Sequence, residues 1–210
     1  MSTYDALIVD FGGVLTTPLI EAMERFANAV GIELQDLARA ALGAYAGESD
    51  DLVTEFETGR ISEEEFSNAF AERLEKLTGE RIPSEGLVGR LFDVRIEESM
   101  IDALIKVRAA GLKTAVLSNS WGQTLYPRER LDEICDEVVL SGEVGLRKPD
   151  PAIFRLALQR LEVDAPRAVF VDDHPGHLEP AAELGMATVL HVMPARTLAD
   201  LEELLDIPLL

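Results

Sequence analysis

Five short apolar runs frame the chain, at 5–10, 113–118, 136–140, 167–172 and 187–192, and four of them are rich in Val with Ile or Leu. Runs this short and this continuous fit strands buried on both faces. Helical patterns with legible ends stand between the later runs. Ile101, Leu104 and Val107 keep helical spacing, and Gly111 follows as a stop. Asp150 before Pro151 starts a helix that carries Ile153, Phe154, Ala157 and Leu161 on one face. Gly185 closes the helix behind the 167–172 run. Strands that alternate with helices pair in parallel, so the expected fold class is α/β.

The stretch 16–95 breaks that rhythm and shows no convincing strand. Thr17-Pro18 starts a helix that turns Ile20, Met23, Phe26 and Val30 inward and ends at Gly31. "ISEEEF" is a capping box inside a hydrophobic staple, with Ser62 and Glu65 closing the helix start and Ile61 packing on Phe66. Phe66, Phe70, Leu74 and Leu77 continue the stripe. The expected organisation is a Rossmann-like parallel sheet core over 1–15 and 96–210, with a small helical cap domain over 16–95. A mere decoration is the plainer reading of the insertion. A lid is favoured because the insertion leaves the sheet at the carboxyl end of its first strand, where open α/β sheets bind ligands. Its substrate contacts are expected around Glu57, Gly59 and Arg60.

Composition narrows the classes. Of 210 residues, 47% are hydrophobic and 28% charged, a soluble globular balance. No apolar run approaches the roughly 20 residues of a membrane span, and no basic segment followed by an apolar one suggests a signal peptide. Cys135 is the single cysteine, which fits a reducing cytoplasm. A net charge of −20 argues against a nucleic-acid partner but leaves a small anionic substrate open. Oligomeric state has no signal.

Four strand ends carry the polar residues. "LIVDFGG" delivers Asp10, "TAVLSNS" delivers Ser118 and Asn119, "GLRKPDP" places Lys148 before a helix, and "AVFVDD" ends in Asp172 and Asp173. Each alone is ordinary turn or cap chemistry; in a parallel sheet all four fall on one edge. Carboxylates about 5 Å apart repel by roughly 3 kcal/mol per pair at an effective dielectric of about 20, so a cation must compensate. An all-oxygen set suits Mg²⁺. With charge neutralised, Asp10 can attack phosphorus and form an aspartyl-phosphate. Ser118 can donate to a phosphoryl oxygen, and Lys148 can neutralise it and pair with Asp172. His174 and His177 lack the spacing of a zinc site and read as rim or helix-start residues.

These motifs resemble those of the haloacid dehalogenase-like hydrolases, most of which are Mg²⁺-dependent phosphatases. "DFGGVL", "VLSNS", "LRKPD" and "VFVDD" match the four family motifs in order, and the insertion matches the small helical cap. "SNSW", "GEVGLRKPDPAIF" and "VFVDDHPGHLEPAAELGM" bear a particular likeness to the N-terminal phosphatase domain of soluble epoxide hydrolases. The resemblance implies Asp10 as nucleophile and metal ligand, the Gly12 carbonyl and Asp173 as further ligands, and Asp172 acting through water and Lys148. It implies a small phosphorylated metabolite as substrate.

Two positions depart from the family pattern. The second Asp of the first motif, a general acid and base worth about 10²–10⁴ in rate, is Gly12. A common Asn four residues after Asp173 is His177. Gly12 is expected to serve shape, with Gly13 turning the chain, and turnover is expected to be slow. Gly12 also keeps open a non-catalytic phospho-ligand or protein-binding module with a degenerate site. A haloacid dehalogenase, which attacks carbon and needs no Mg²⁺, is the third reading.

Overall fold

The computed structural model describes residues 3–42, 51–122 and 125–209. The first strand, β1 (Ala6–Val9), is wholly buried. Among the described residues five helices follow: α1 (Leu19–Val30), α2 (Leu34–Leu42), α3 (Asp51–Glu57), α4 (Glu63–Thr78) and α5 (Leu87–Leu91). The alternating part then runs α6 (Glu98–Ala109), β2 (Lys113–Ser118), α7 (Arg128–Ile134), β3 (Glu137–Leu140), α8 (Ser141–Val144), α9 (Pro151–Leu161), β4 (Ala168–Asp172), α10 (Pro175–Glu183), β5 (Ala187–Leu190) and α11 (Pro194–Leu205). The five strands pair in parallel in the order β3-β2-β1-β4-β5. The expected α/β class and Rossmann-like sheet are what the chain adopts. No helix among the described residues is long and apolar enough to cross a membrane.

Strand alternation splits the sheet's packing. Leu7, Val9, Val116 and Val171 meet Met100, Leu104, Leu131 and Leu201 on one face. Ile8, Leu117, Val139 and Phe170 meet Ile153, Phe154, Ala157 and Ala181 on the other. Both faces of β1 are therefore covered, which is why its sequence is a continuous apolar run.

The helices between β1 and α6 bury a third apolar cluster of their own, built on Phe26, Leu37, Phe66, Phe70, Leu74 and Leu87. The capping box forms as expected: Ser62 Oγ accepts from the Glu65 amide and Glu65 accepts from the Ser62 amide at 2.8 Å. Gly31 ends α1 at φ 76°. Two expected core positions differ. Leu77 is 42% exposed, past the end of the stripe, and Ile20 is 47% exposed because it faces a cavity instead of the cluster. The two links to the sheet are sewn together. Thr16 bridges Ile96, Thr17 N–H donates to Arg95 O at 2.8 Å, and Glu97 N–H donates to Leu15 O at 2.9 Å.

Candidate active site

The order β2-β1-β4 sets three strand ends side by side. Asp10 follows β1 and still keeps the sheet register, its N–H donating to Val171 O at 2.8 Å. Its Oδ1 accepts from the Phe11 amide at 2.7 Å and from Lys148 Nζ at 2.9 Å. Lys148 is fully buried, with Nζ 2.6 Å from Asp172 Oδ2. The lysine thus bridges the carboxylates that end β1 and β4. Asp172 has no spare oxygen: Oδ1 accepts from the His174 amide at 2.8 Å and lies 3.1 Å from His177 Nδ1. Asp173 is the solvent-facing acid of the group.

Asp10, Asp172 and Asp173 each offer an oxygen within 4.8 Å of the others. Their protonation shows the strain of that crowding. Burial pushes Asp10 up to about 7; Lys148 opposes, while Asp172 and Asp173 add to the rise. Enclosure in the cleft, then the Asp172 charge, pushes Asp173 up to about 6. Burial also works against Asp172, but Lys148 and then His177 outweigh it and hold its carboxyl well below the usual range. Burial would lower Lys148; Asp10 and Asp172 outweigh it and hold it cationic. Three carboxylates against one ammonium leave an excess of two negative charges when all are ionised. An all-oxygen trio with that excess fits a hard divalent cation. Lys148 and the start of α10 engage both oxygens of Asp172, so Asp10 and Asp173 are the acids that could ligate it.

The glycine pair divides its work unevenly. Gly13 adopts φ +76°, and a Cβ there would stand 2.3 Å from Asp173 Oδ2. Only glycine lets the loop turn and the carboxylate close on it. Gly12 has no left-handed φ, and a Cβ there would meet a side-chain carbon, Leu19 Cδ1, at 3.2 Å. Backbone shape therefore demands glycine at 13, while at 12 the near constraint is Leu19.

Ser118 Oγ lies 3.1 Å from the hydroxyl of Tyr126, which also donates to Asn119 O at 3.3 Å. Tyr126 is a site residue that sequence reasoning missed. It sits in no strand-end motif, and its only signal is the Tyr-Pro step into α7. Burial, with Asp10 nearby, pushes its phenol up to about 12, so it stays a neutral hydroxyl. Asn119 Nδ2 donates to Lys148 O at 3.0 Å and its Oδ1 accepts from Lys148 N–H at 2.8 Å. It positions the lysine. His174 precedes α10 at the rim, its ring centroid 4.6 Å from that of His177 and tilted by 39°. His177 is buried, and burial lowers its pKa.

A cavity of about 370 Å³ opens over Asp10. Glu57, Gly59 and Arg60, the expected substrate contacts, do not line it. Glu57 is fully buried with Oε2 2.8 Å from Arg147 Nε, and Arg147 Nη1 donates to Thr54 Oγ1 at 2.8 Å. Ser141 Oγ donates to Glu57 O, and Gly59 abuts Gly142 O. A buried carboxylate needs a partner, and here that partner is the core. Gly59 and Arg60 border a separate cavity of about 480 Å³. The Asp10 cavity is walled instead by Leu19, Ile20, Met23, Phe92, Trp121 and Leu125.

The family model for haloacid dehalogenase-like hydrolases matches residues 4–185. The chain belongs to the haloacid dehalogenase-like hydrolases. Among curated relatives it is similar to mouse acyl-CoA dehydrogenase family member 10, at 33% identity over 99% of this chain and 20% of that protein. It is similar to pig bifunctional epoxide hydrolase 2, at 30% identity over 98% of this chain and 39% of that protein. The chain thus spans about a fifth to two fifths of these relatives. Two solved structures share the fold. One, a predicted HAD-like family hydrolase from Porphyromonas gingivalis, has a TM-score of 0.67 and 24% identity over 93% of this chain and 97% of its own. The other, a HAD family enzyme from Bacteroides thetaiotaomicron, was solved with magnesium and inorganic phosphate; its TM-score is 0.63, at 20% identity over 90% of this chain and 94% of its own.

Proposed function

We propose that this haloacid dehalogenase-like hydrolase is a Mg²⁺-dependent phosphatase acting on a small phosphate monoester. The observation that carries this reading is the fully buried Lys148 bridging Asp10 and Asp172 beside Asp173. Asp10, the Gly12 carbonyl and Asp173 would hold the ion. When bound, it would supply neutralising charge to the phosphoryl oxygens.

Asp10 uses one Oδ to form a bond to phosphorus, and the bond from phosphorus to the ester oxygen breaks with its electron pair on the leaving group. Lys148 holds the attacking carboxylate by Oδ1 and offsets phosphoryl charge. Ser118, with Tyr126 behind it, donates to a phosphoryl oxygen. Water then attacks the aspartyl-phosphate, freeing phosphate and restoring the Asp10 carboxylate. Residues 16–95 act as the cap over this site.

Two relatives inform the reading. Methanocaldococcus jannaschii glyceraldehyde 3-phosphate phosphatase shares 36% identity over 42% of this chain, and a Pseudomonas (S)-2-haloacid dehalogenase 32% over 49%. The acidic trio favours the phosphatase, because attack at carbon needs no divalent cation. Phosphate release from p-nitrophenyl phosphate should require Mg²⁺ and vanish in Asp10→Asn. Acid quenching should trap phosphate on the wild-type chain alone. Halide release from 2-chloropropionate without phosphate release would overturn the reading.

A further inference from the structure

The two sides of the Asp10 cavity are chemically opposite. The ionisable groups among its described lining residues come from the sheet edge and the segments after it: Asp10, Tyr126, Lys148, Asp173, His174 and His177. The helical insertion contributes Leu19, Ile20, Met23 and Phe92, and the loop after β2 adds Trp121 and Leu125. Thr16 is polar, but its hydroxyl is used, accepting from Gly13 N–H at 3.0 Å and donating to Thr17 O at 3.0 Å.

In-line displacement requires the leaving oxygen opposite the attacking carboxylate. Gly12 and Leu19 line the same cavity as Asp10, and a side chain at residue 12 would begin 3.2 Å from Leu19 Cδ1. Beside residue 12 the cavity therefore presents hydrocarbon and no acid. Apart from the indole N–H of Trp121, the described side chains of that wall offer nothing to replace the water that a hydroxyl-rich leaving group would shed. It does offer aromatic faces: Phe92 and Trp121 stand with ring centroids 4.5 Å apart, tilted by 42°.

We propose, resting on the phosphatase reading above, that the substrate is an aryl phosphate: a phosphate monoester of a compact, apolar phenolic compound. Asp10 forms the new bond to phosphorus, the bond to the aryl oxygen breaks, and the electron pair departs on a phenolate. The ring delocalises that charge, so the enzyme donates no proton; solvent protonates the product after release. A sugar phosphate fails twice, since its alkoxide needs an acid and its hydroxyls need partners.

The test compares kcat/KM, with Mg²⁺, for phenyl phosphate, 2-phenylethyl phosphate and glucose 6-phosphate. Phenyl phosphate should lead the phenylethyl ester by about tenfold or more and the sugar ester by about a hundredfold or more. Either of the others turning over at the phenyl rate overturns the substrate class and leaves the phosphatase reading standing. Release from none of the three overturns both. Trp121, the chain's one tryptophan, reports occupancy without turnover. Its fluorescence should respond to benzylphosphonate at concentrations about tenfold below those needed for methylphosphonate. Equal affinities would overturn the apolar substrate.

Discussion

Asn119 grips the backbone of Lys148 at both polar groups, its amide donating to the lysine's carbonyl and accepting from its N–H. The end of β2 thereby fixes a residue 29 positions away. Asn119→Ala removes two buried hydrogen bonds and orphans both lysine backbone groups. The expected cost is about 2–4 kcal/mol, with kcat reduced and KM for p-nitrophenyl phosphate little changed. Thermal melts and steady-state kinetics on the variant check this; an unaltered melting point would show that the clamp is dispensable.

Lys148→Met should abolish turnover and also weaken the fold, because it strands two buried carboxylates. Breaking such a pair costs about 3–5 kcal/mol. The penalty should be smaller near pH 5 than near pH 8, since a protonated Asp10 needs no partner. Lys106→Met and Lys113→Met alter side chains that reach the backbone carbonyls of Leu209 and Leu161. Both should retain activity. Comparable losses there would mean that the wrong lysine has been assigned.

Metal and protons should compete. Asp10 at about 7 and Asp173 at about 6 both titrate above an ordinary carboxylate. Between about pH 4 and 7 the folded chain therefore holds protons that the unfolded chain has lost, and metal-free stability falls as pH rises through that window. Asp172, held low, adds stability that disappears only in strong acid. Ligation requires ionised carboxylates, so Mg²⁺ should raise the melting point little near pH 5 and strongly near pH 8. Equal shifts at both pH values, or an undiminished shift in Asp173→Asn, would count against the proposed ligands.

Gly12→Asp alone drives a side chain toward Leu19. Paired with Leu19→Ala, the new carboxylate has room to protonate a leaving oxygen. Relative to Leu19→Ala, the double variant should hydrolyse 2-phenylethyl phosphate faster by up to about 10²-fold, with a much smaller gain on phenyl phosphate. Equal gains on both esters would show that the missing acid is not what limits alkyl substrates.

The strands and the polar edge were legible because local pattern controls them: a strand buried on both faces must be continuously apolar, and its end carries whatever follows to the sheet's edge. Asp10, Ser118, Asn119, Asp172 and Asp173 could be read that way, and Lys148 from its place before the helix start at Asp150. Tyr126 could not, because its hydroxyl reaches Ser118 through tertiary packing of the loop before α7. Glu57 was misread for the same reason. A carboxylate on a helical insertion looks solvent-facing until Arg147, 90 residues on, is found against it. Ile20 misled differently: helical spacing marks an apolar face but does not say whether a core or a cavity lies beyond it.

The strand order has a kinetic consequence. β1 pairs with β2 more than a hundred residues downstream and with β4 about fifty residues beyond that. The helical insertion can gather its own cluster from near neighbours, but the central strand must close two very long loops before Asp10, Lys148 and Asp172 meet. The entropy of such closures must be met before the strand contacts reward it, and this makes folding slow. A partly folded chain can hold a finished roof with nothing beneath it, so recovery of activity on refolding should trail recovery of helix. In this architecture catalysis reports the last pairing made.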